Sequence, residues 1–298
     1  MQENALEGFS SSKAELPALK IPDLTARFSA ASINKTAFDW QTALSMIVAS
    51  KFVYYNEQTV EATATGDWGL DTCKFIDEEE TQCFVASSGD NALVTFRGTE
   101  HRRDWLLNIT ITSTEKVYGT VHTGFQRGFD RAQQQLEEEL NRLSPSTVLI
   151  TGHSLGGALA TVAAAAWQGK YPISGVYTFG QPAVGRGEFQ DFFETHYSGK
   201  FFRFVNDKDI VAMIPPNYGH VGNLYKFDDE GQLIQPGPFE SLESGGEAEV
   251  MSEEDFEKLQ ETLRAEQEAE EQPFEGMFVS VSDHNIDDYI RNIEAHDA

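Results

Sequence analysis

Ser154 sits in Gly152-His153-Ser154-Leu155-Gly156, between the apolar, β-branched run Val148-Leu149-Ile150-Thr151 and the helix-forming run Gly157-Ala158-Leu159-Ala160. A serine hydroxyl is a weak nucleophile until a neighbouring base takes its proton, and a strand–turn–helix passage is the setting that presents such a hydroxyl. The turn is strained, so glycine at 152 and 156 removes Cβ atoms that would collide there. A helix that starts at the turn directs its free N–H groups and positive end toward the serine oxygen. The pattern points to acyl transfer. A surface serine in a phosphate-binding βα turn is the competing reading. Against it, no Lys follows the glycines and no G-x-G-x-x-G spacing is present.

Acyl transfer needs a base to take the serine proton and a carboxylate to hold that base. In α/β-hydrolases the chain order is Ser, then an acid, then His. Downstream of Ser154, the run Phe201-Phe202-Arg203-Phe204-Val205 leads into Asn206-Asp207-Lys208-Asp209-Ile210-Val211. Near the C-terminal end lies Ser282-Asp283-His284-Asn285. Asp209 or Asp207 can supply the acid. His284 is the candidate base, and His220 in Tyr218-Gly219-His220-Val221-Gly222 is its main competitor. A tetrahedral intermediate also needs fixed N–H donors, and the amide of Leu155, directly after the nucleophile, is one of them.

On these residues the chain resembles the class 3 lipase family, α/β-hydrolases typified by fungal triacylglycerol lipases, over about residues 38–293. The resemblance rests on Phe96-Arg97-Gly98-Thr99, Asp104-Trp105-Leu106-Leu107-Asn108-Ile109, Val121-His122-Thr123-Gly124-Phe125, the elbow itself, Thr178-Phe179-Gly180-Gln181-Pro182-Ala183-Val184-Gly185, and Asp209-Ile210-Val211 with Ile214-Pro215-Pro216. It implies an α/β-hydrolase fold: a mostly parallel central sheet, helices on both faces and a short helical lid. It implies Asp209 as the acid, because the family acid precedes an apolar pair and then prolines. Asp207 becomes a turn residue. His284, followed by Tyr289, matches the family's histidine segment, and His122 and His153 are expected to be structural. The second oxyanion donor is the amide of Thr99 by the same resemblance. Arg97 reads as a hydrogen-bonding hub rather than a substrate-binding cation. The lid segment carries an apolar stripe of Trp105, Leu106 and Ile109; an ordinary surface helix facing the core is the alternative. The implied substrate is a lipid ester, most simply an acylglycerol met at a lipid–water interface. A phospholipase A1, galactolipase or feruloyl-type esterase on the same scaffold is the alternative, and a non-catalytic lipase-like binding protein a more distant one.

The elements that must position these groups are legible as alternating strands and helices, which implies a parallel sheet with helices on its faces. At 298 residues with 40% hydrophobic content, one domain is expected. Residues 38–55 read as a long helix, 82–96 as a hairpin about Ser87-Ser88-Gly89-Asp90-Asn91, and 148–150, 175–179 and 200–205 as strands. An N-terminal extension over about 1–35 and an acidic, partly helical insertion over about 228–275 flank these elements. The net charge is −26, and 17 acidic against two basic residues lie within 228–275. There, Ser252-Glu253-Glu254-Asp255 reads as a helix start, and Phe256, Leu259 and Leu263 make a thin apolar stripe packed lightly on the core.

That charge argues against nucleic acid and anionic membranes as partners. There is no apolar run of about 18 residues, so no transmembrane segment is expected. Residues 1–20 lack the pattern of a signal peptide, which leaves the compartment open. No cofactor is implied, and no Cys/His spacing fits a zinc site. Cys73 and Cys83 would oppose each other across a hairpin turning about Glu78, close enough for a bridge; two reduced thiols are the alternative.

Overall fold

The computed structural model describes residues 18–237, 250–269 and 282–297. Its strands are β1 (Thr72–Glu78), β2 (Thr81–Ser88), β3 (Asn91–Phe96), β4 (Ser113–Lys116), β5 (Gly119–His122), β6 (Thr147–His153), β7 (Ile173–Phe179), β8 (Gly185–Arg186), β9 (Phe201–Asn206), β10 (Asn223–Phe227) and β11 (Leu233–Gly237). Eight of them form one sheet in the order β1-β2-β3-β6-β7-β9-β10-β11, and β4, β5 and β8 form a small second sheet. From β3 through β6, β7 and β9 to β10 every pairing is parallel, while β1, β2 and β11 add antiparallel margins. The central strands are near-continuous apolar runs because both of their faces are covered. Every residue of β7 is buried.

The helices are α1 (Ile21–Thr25), α2 (Trp40–Phe52), α3 (Glu57–Ala62), α4 (Arg102–Asn108), α5 (Thr123–Leu143), α6 (Leu155–Trp167), α7 (Glu188–Tyr197), α8 (Glu253–Ala269) and α9 (Ile286–Glu294). They divide between the two faces of the sheet. One core cluster joins α2 and α9 through Met46, Ile47, Phe52, Tyr289, Ile290 and Ile293 to Phe179 and Phe204. The other joins α4, α5, α6, α7 and α8 to the opposite face. The helix expected over 38–55 is α2. It begins where the Asp39 carboxylate accepts the Thr42 N–H at 2.8 Å and is buried over most of its circumference, as a sequence apolar all round requires. The expected hairpin is β2–β3, paired antiparallel across Ser88 and Asn91.

Two expectations are corrected. The β1–β2 hairpin turns at Glu79–Glu80 rather than about Glu78, and its register pairs Cys73 with Ala86 and Cys83 with Ile76. The cysteines are thus three register positions apart, and side chains alternate faces with period two. Cys73 packs beside one core cluster and Cys83 lies inside the other, and both are free thiols. The described helix of the acidic stretch, α8, is also not lightly packed. α8 begins where the Ser252 hydroxyl accepts the Asp255 N–H at 3.1 Å and donates to its carboxylate at 2.7 Å. Phe256, Leu259 and Leu263 are fully buried, together with Met251, in the same core cluster as α5 and α6.

Part of the proposed N-terminal extension and of the acidic stretch (1–17, 238–249 and 270–281) lies outside the described residues. Of the former, Leu24 and Ile33 are fully buried in the core. Among the described residues, no helix is long and apolar enough to cross a membrane.

Candidate active site

β6 ends in the turn that carries Ser154. Its backbone has φ 60° and ψ −132°, a conformation that a residue with a side chain holds only when its surroundings impose it. The Ser154 N–H donates to Phe179 O at 2.9 Å on β7, and its carbonyl accepts the Gly157 N–H at 2.9 Å at the start of α6. A Cβ on Gly152 would meet the Gly156 carbonyl and lie 2.7 Å from Gly157 N; one on Gly156 would meet the Phe96 carbonyl. The two glycines let β6, β3 and α6 converge under the serine.

Asp209 follows β9. Its carboxylate caps the turn Ile210–Met213, accepting the Val211 N–H at 2.9 Å and the Ala212 N–H at 3.4 Å. His284, immediately before α9, donates from Nδ1 to both carboxylate oxygens, at 2.7 and 2.9 Å. Tyr289, one turn into α9, donates its hydroxyl to Oδ2 at 2.7 Å. Burial alone would raise the Asp209 carboxyl, but the facing His284, its hydrogen bond, and those of Tyr289 and the Val211 N–H outweigh it and hold the group below its ordinary value. An ionised carboxylate only accepts, so it sets the tautomer: the proton sits on Nδ1 and Nε2 carries the free lone pair.

His284 and Asp209 meet the serine turn through Gly180. Its φ is 55°, and a Cβ there would lie 2.6 Å from Asp209 Oδ2 and 2.8 Å from His284 Nδ1. The residue before it, Phe179, accepts the Ser154 N–H. Three side chains far apart along the chain thereby gather at the C-terminal ends of β6, β7 and β9, where α/β sheets place their sites. Ser154 is 1% and His284 0% exposed, and neither Ser154 Oγ nor His284 Nε2 has a hydrogen-bond partner. A buried hydroxyl and a buried acceptor lone pair, both unspent, are what a base-activated nucleophile requires.

Gly98 brings Arg97-Gly98-Thr99 over this turn: a Cβ on it would lie 3.1 Å from Ser154 Cβ and 2.7 Å from His153 O. Thr99 and Leu155 are half-buried and line a cleft of about 780 Å³, with Trp105, Ile109, Phe125 and Leu159 among its apolar residues. The Thr99 hydroxyl accepts the His101 N–H at 3.2 Å. Arg97 pairs with Glu100 at 2.6 Å, donates to Gln82 and lies over the Tyr54 ring at 5.2 Å, which makes it a hub within its own turn.

In α4 and at its C-terminal cap, Leu106 and Ile109 are buried and Trp105 half-buried, and all three pack on the core. Trp105, Asn108 and Ile109 form one wall of the cleft. His220 lies apart from the serine: its Nε2 donates to Ala212 O at 2.7 Å. His122 caps α5 through Phe125 N, and burial lowers its basicity. Asp207 occupies a turn at φ 27°, its N–H donating to Phe227 O.

The sequence reading marked Tyr289 only as a spacing and missed its bond to the acid. The signal was present: Asn285 caps α9, which turns position 289 toward the sheet. It also missed that the His153 ring stacks on His284, at 4.6 Å and 29°.

The sheet order and the serine turn define an α/β-hydrolase fold. Residues 93–219 match the model of the class 3 lipases. It is 32% identical over 154 residues to a secreted mono- and diacylglycerol lipase of Fusarium solani, covering 47% of this chain and 46% of that protein. It is 31% identical over 151 residues to a chloroplastic phospholipase A1 of Arabidopsis thaliana, covering 42% and 34%. The chain thus spans less than half the length of these curated relatives. The native Rhizomucor miehei lipase–propeptide structure superposes with a TM-score of 0.53 at 22% identity, covering 74% of this chain and 88% of that one.

Proposed function

We propose that the chain hydrolyses carboxylic esters of lipids, acylglycerols first among them, through an acyl-enzyme on Ser154. The observation that carries this reading is the fully buried Asp209–His284 pair set at the strand ends beside a strained, unpartnered serine. Ser154 Oγ attacks the ester carbonyl while His284 Nε2 takes its proton and Asp209 stabilises the imidazolium. The Thr99 and Leu155 amides hold the oxyanion. The alcohol departs with the proton from His284, and water, activated by the same base, releases the fatty acid and restores the hydroxyl. α4 gates access, since the nucleophile is covered while its stripe faces inward. A fluorophosphonate probe should label the protein on Ser154. Labelling should vanish in Ser154→Ala and fall by several orders of magnitude in His284→Ala, and label retained in Ser154→Ala would defeat the assignment.

A phospholipase A1 on the same machinery is the second reading, favoured by one feature. The cleft is rimmed by Arg97, Arg127 and Arg131 with Glu79, Glu80 and Glu100, charges that a neutral acylglycerol does not need. Comparing hydrolysis of a diacylglycerol with that of a phospholipid carrying the same acyl chains distinguishes the two.

A further inference from the structure

We propose that His153, which takes no part in the proton transfers described, is a positioning residue that holds His284 in register with Ser154. This rests on the ester-hydrolase reading of the site. His153 is completely buried, and its Nε2 lies 3.2 Å from the backbone carbonyl of His284. A carbonyl only accepts, so Nε2 carries the proton. Nδ1 is then the acceptor facing the Tyr54 hydroxyl at 3.5 Å. The ring lies flat against the His284 ring, and the edge of Tyr289 flanks it at 5.9 Å. The imidazole that must swing least is thus gripped at its side chain by Asp209 and at its main chain and ring face by His153. Burial, with His284 and Arg102 adding to it, holds His153 well below its ordinary basicity. It therefore stays neutral beside the imidazolium that forms on His284.

His153 adjoins the nucleophile along the chain, but its side chain acts on the base. His153→Phe keeps a flat ring and removes the donor; His153→Gln restores a donor without the ring. The Phe variant is expected to lose about tenfold in kcat and in fluorophosphonate labelling rate at unchanged KM, and the Gln variant to recover part of that loss. Wild-type labelling rates in both, or a change confined to KM, would overturn the proposal. If neither variant folds, Tyr54→Phe removes the contact to Nδ1 from a half-buried position, and an unchanged labelling rate there would overturn it as well. A wild-type protein that takes no probe at all would instead defeat the ester-hydrolase reading.

A different observation concerns α8. The two N–H donors of the Gln260 side-chain amide are shared among three carbonyls at the end of α4, with Nε2 lying 3.1 Å from Leu106 O, 3.2 Å from Leu107 O and 3.3 Å from Ile109 O. Carbonyls at a helix end have no partner within the helix, and a seven-residue helix depends on such external bonds. Phe256, Leu259 and Leu263 share the core cluster with Leu106 and Ile109, and Met251 N–H donates to Met213 O at 2.7 Å. From this geometry we infer that the acidic helix is an autoinhibitory clasp: α4 cannot turn away from the cleft until Gln260 lets go. Gln260→Ala should speed probe labelling and short-chain ester hydrolysis several-fold and quicken amide exchange across residues 102–109. Unchanged exchange and labelling would refute the clasp. Faster exchange without faster labelling would show that α4 does not control access, and would refute it equally.

Discussion

Tyr289→Phe removes one oxygen atom from the interior and leaves the packing otherwise intact. In the wild type the Tyr289 hydroxyl donates to Asp209 Oδ2 at 2.7 Å and accepts the Asn206 N–H at 3.0 Å, with the ring fully buried. Burial and the adjacent Asp209 push the phenol well above its ordinary range, so it remains a donor at every working pH. A hydrogen bond to a charged group is worth about 1.5–3 kcal/mol, and an orphaned buried N–H costs about 1–3 kcal/mol. Both losses fall on one substitution, so roughly 3–5 kcal/mol is expected. At about 2–4 °C per kcal/mol for a domain of this order, the melting temperature should fall by roughly 6–20 °C.

The pH dependence has a definite sign. Asp209 is held below its ordinary value in the fold, so its contribution is present above the unfolded value of about 3.9 and is lost as pH falls through the lower folded value. The share of the deficit that comes from the lost bond to the carboxylate should therefore shrink in that acid window, leaving the Asn206 share. Calorimetric melts of both proteins across the acid range, with probe-labelling rates at neutral pH, measure both effects. A neutral-pH difference below about 1 °C, together with an unchanged labelling rate, would refute the coupling of Tyr289 to the acid.

Gly152→Ala should prevent the serine turn from closing, because the new methyl group would strike the Gly156 backbone; soluble protein that still takes the probe would contradict this. Burial lowers the basicity of both His122 and His153. The unfolded chain binds more protons below about pH 6.5, so stability should drop as pH falls from neutral through that value. A melting temperature flat between about pH 7 and pH 5 would count against the buried, neutral histidines. Cys73 and Cys83 should titrate as two thiols in denaturant without reductant, and slowly in the native protein, where burial pushes Cys73 up to about 12 and Cys83 higher still. Absence of thiol signal in denaturant would mean a bridge that the strand register does not allow.

Local chemistry made much of this readable from sequence alone. A β-branched run before Gly-His-Ser-Leu-Gly and an alanine-rich run after it specify strand, turn and helix, because each local preference agrees with its neighbours. Asp209 was separable from Asp207 only by resemblance to a family, since both follow the same strand and both suit a polar loop. What required the tertiary structure is whatever depends on register or on contacts between distant segments. A turn at Glu79–Glu80 instead of Glu78 sends Cys73 and Cys83 to opposite faces, and composition carries no information about that shift. Likewise, nothing local announces that Tyr289 meets Asp209, that His153 lies against His284, or that Gln260 reaches the end of α4. Those contacts join residues 80, 131 and more than 150 positions apart, and only the closed sheet with its two helical layers brings them within hydrogen-bonding range.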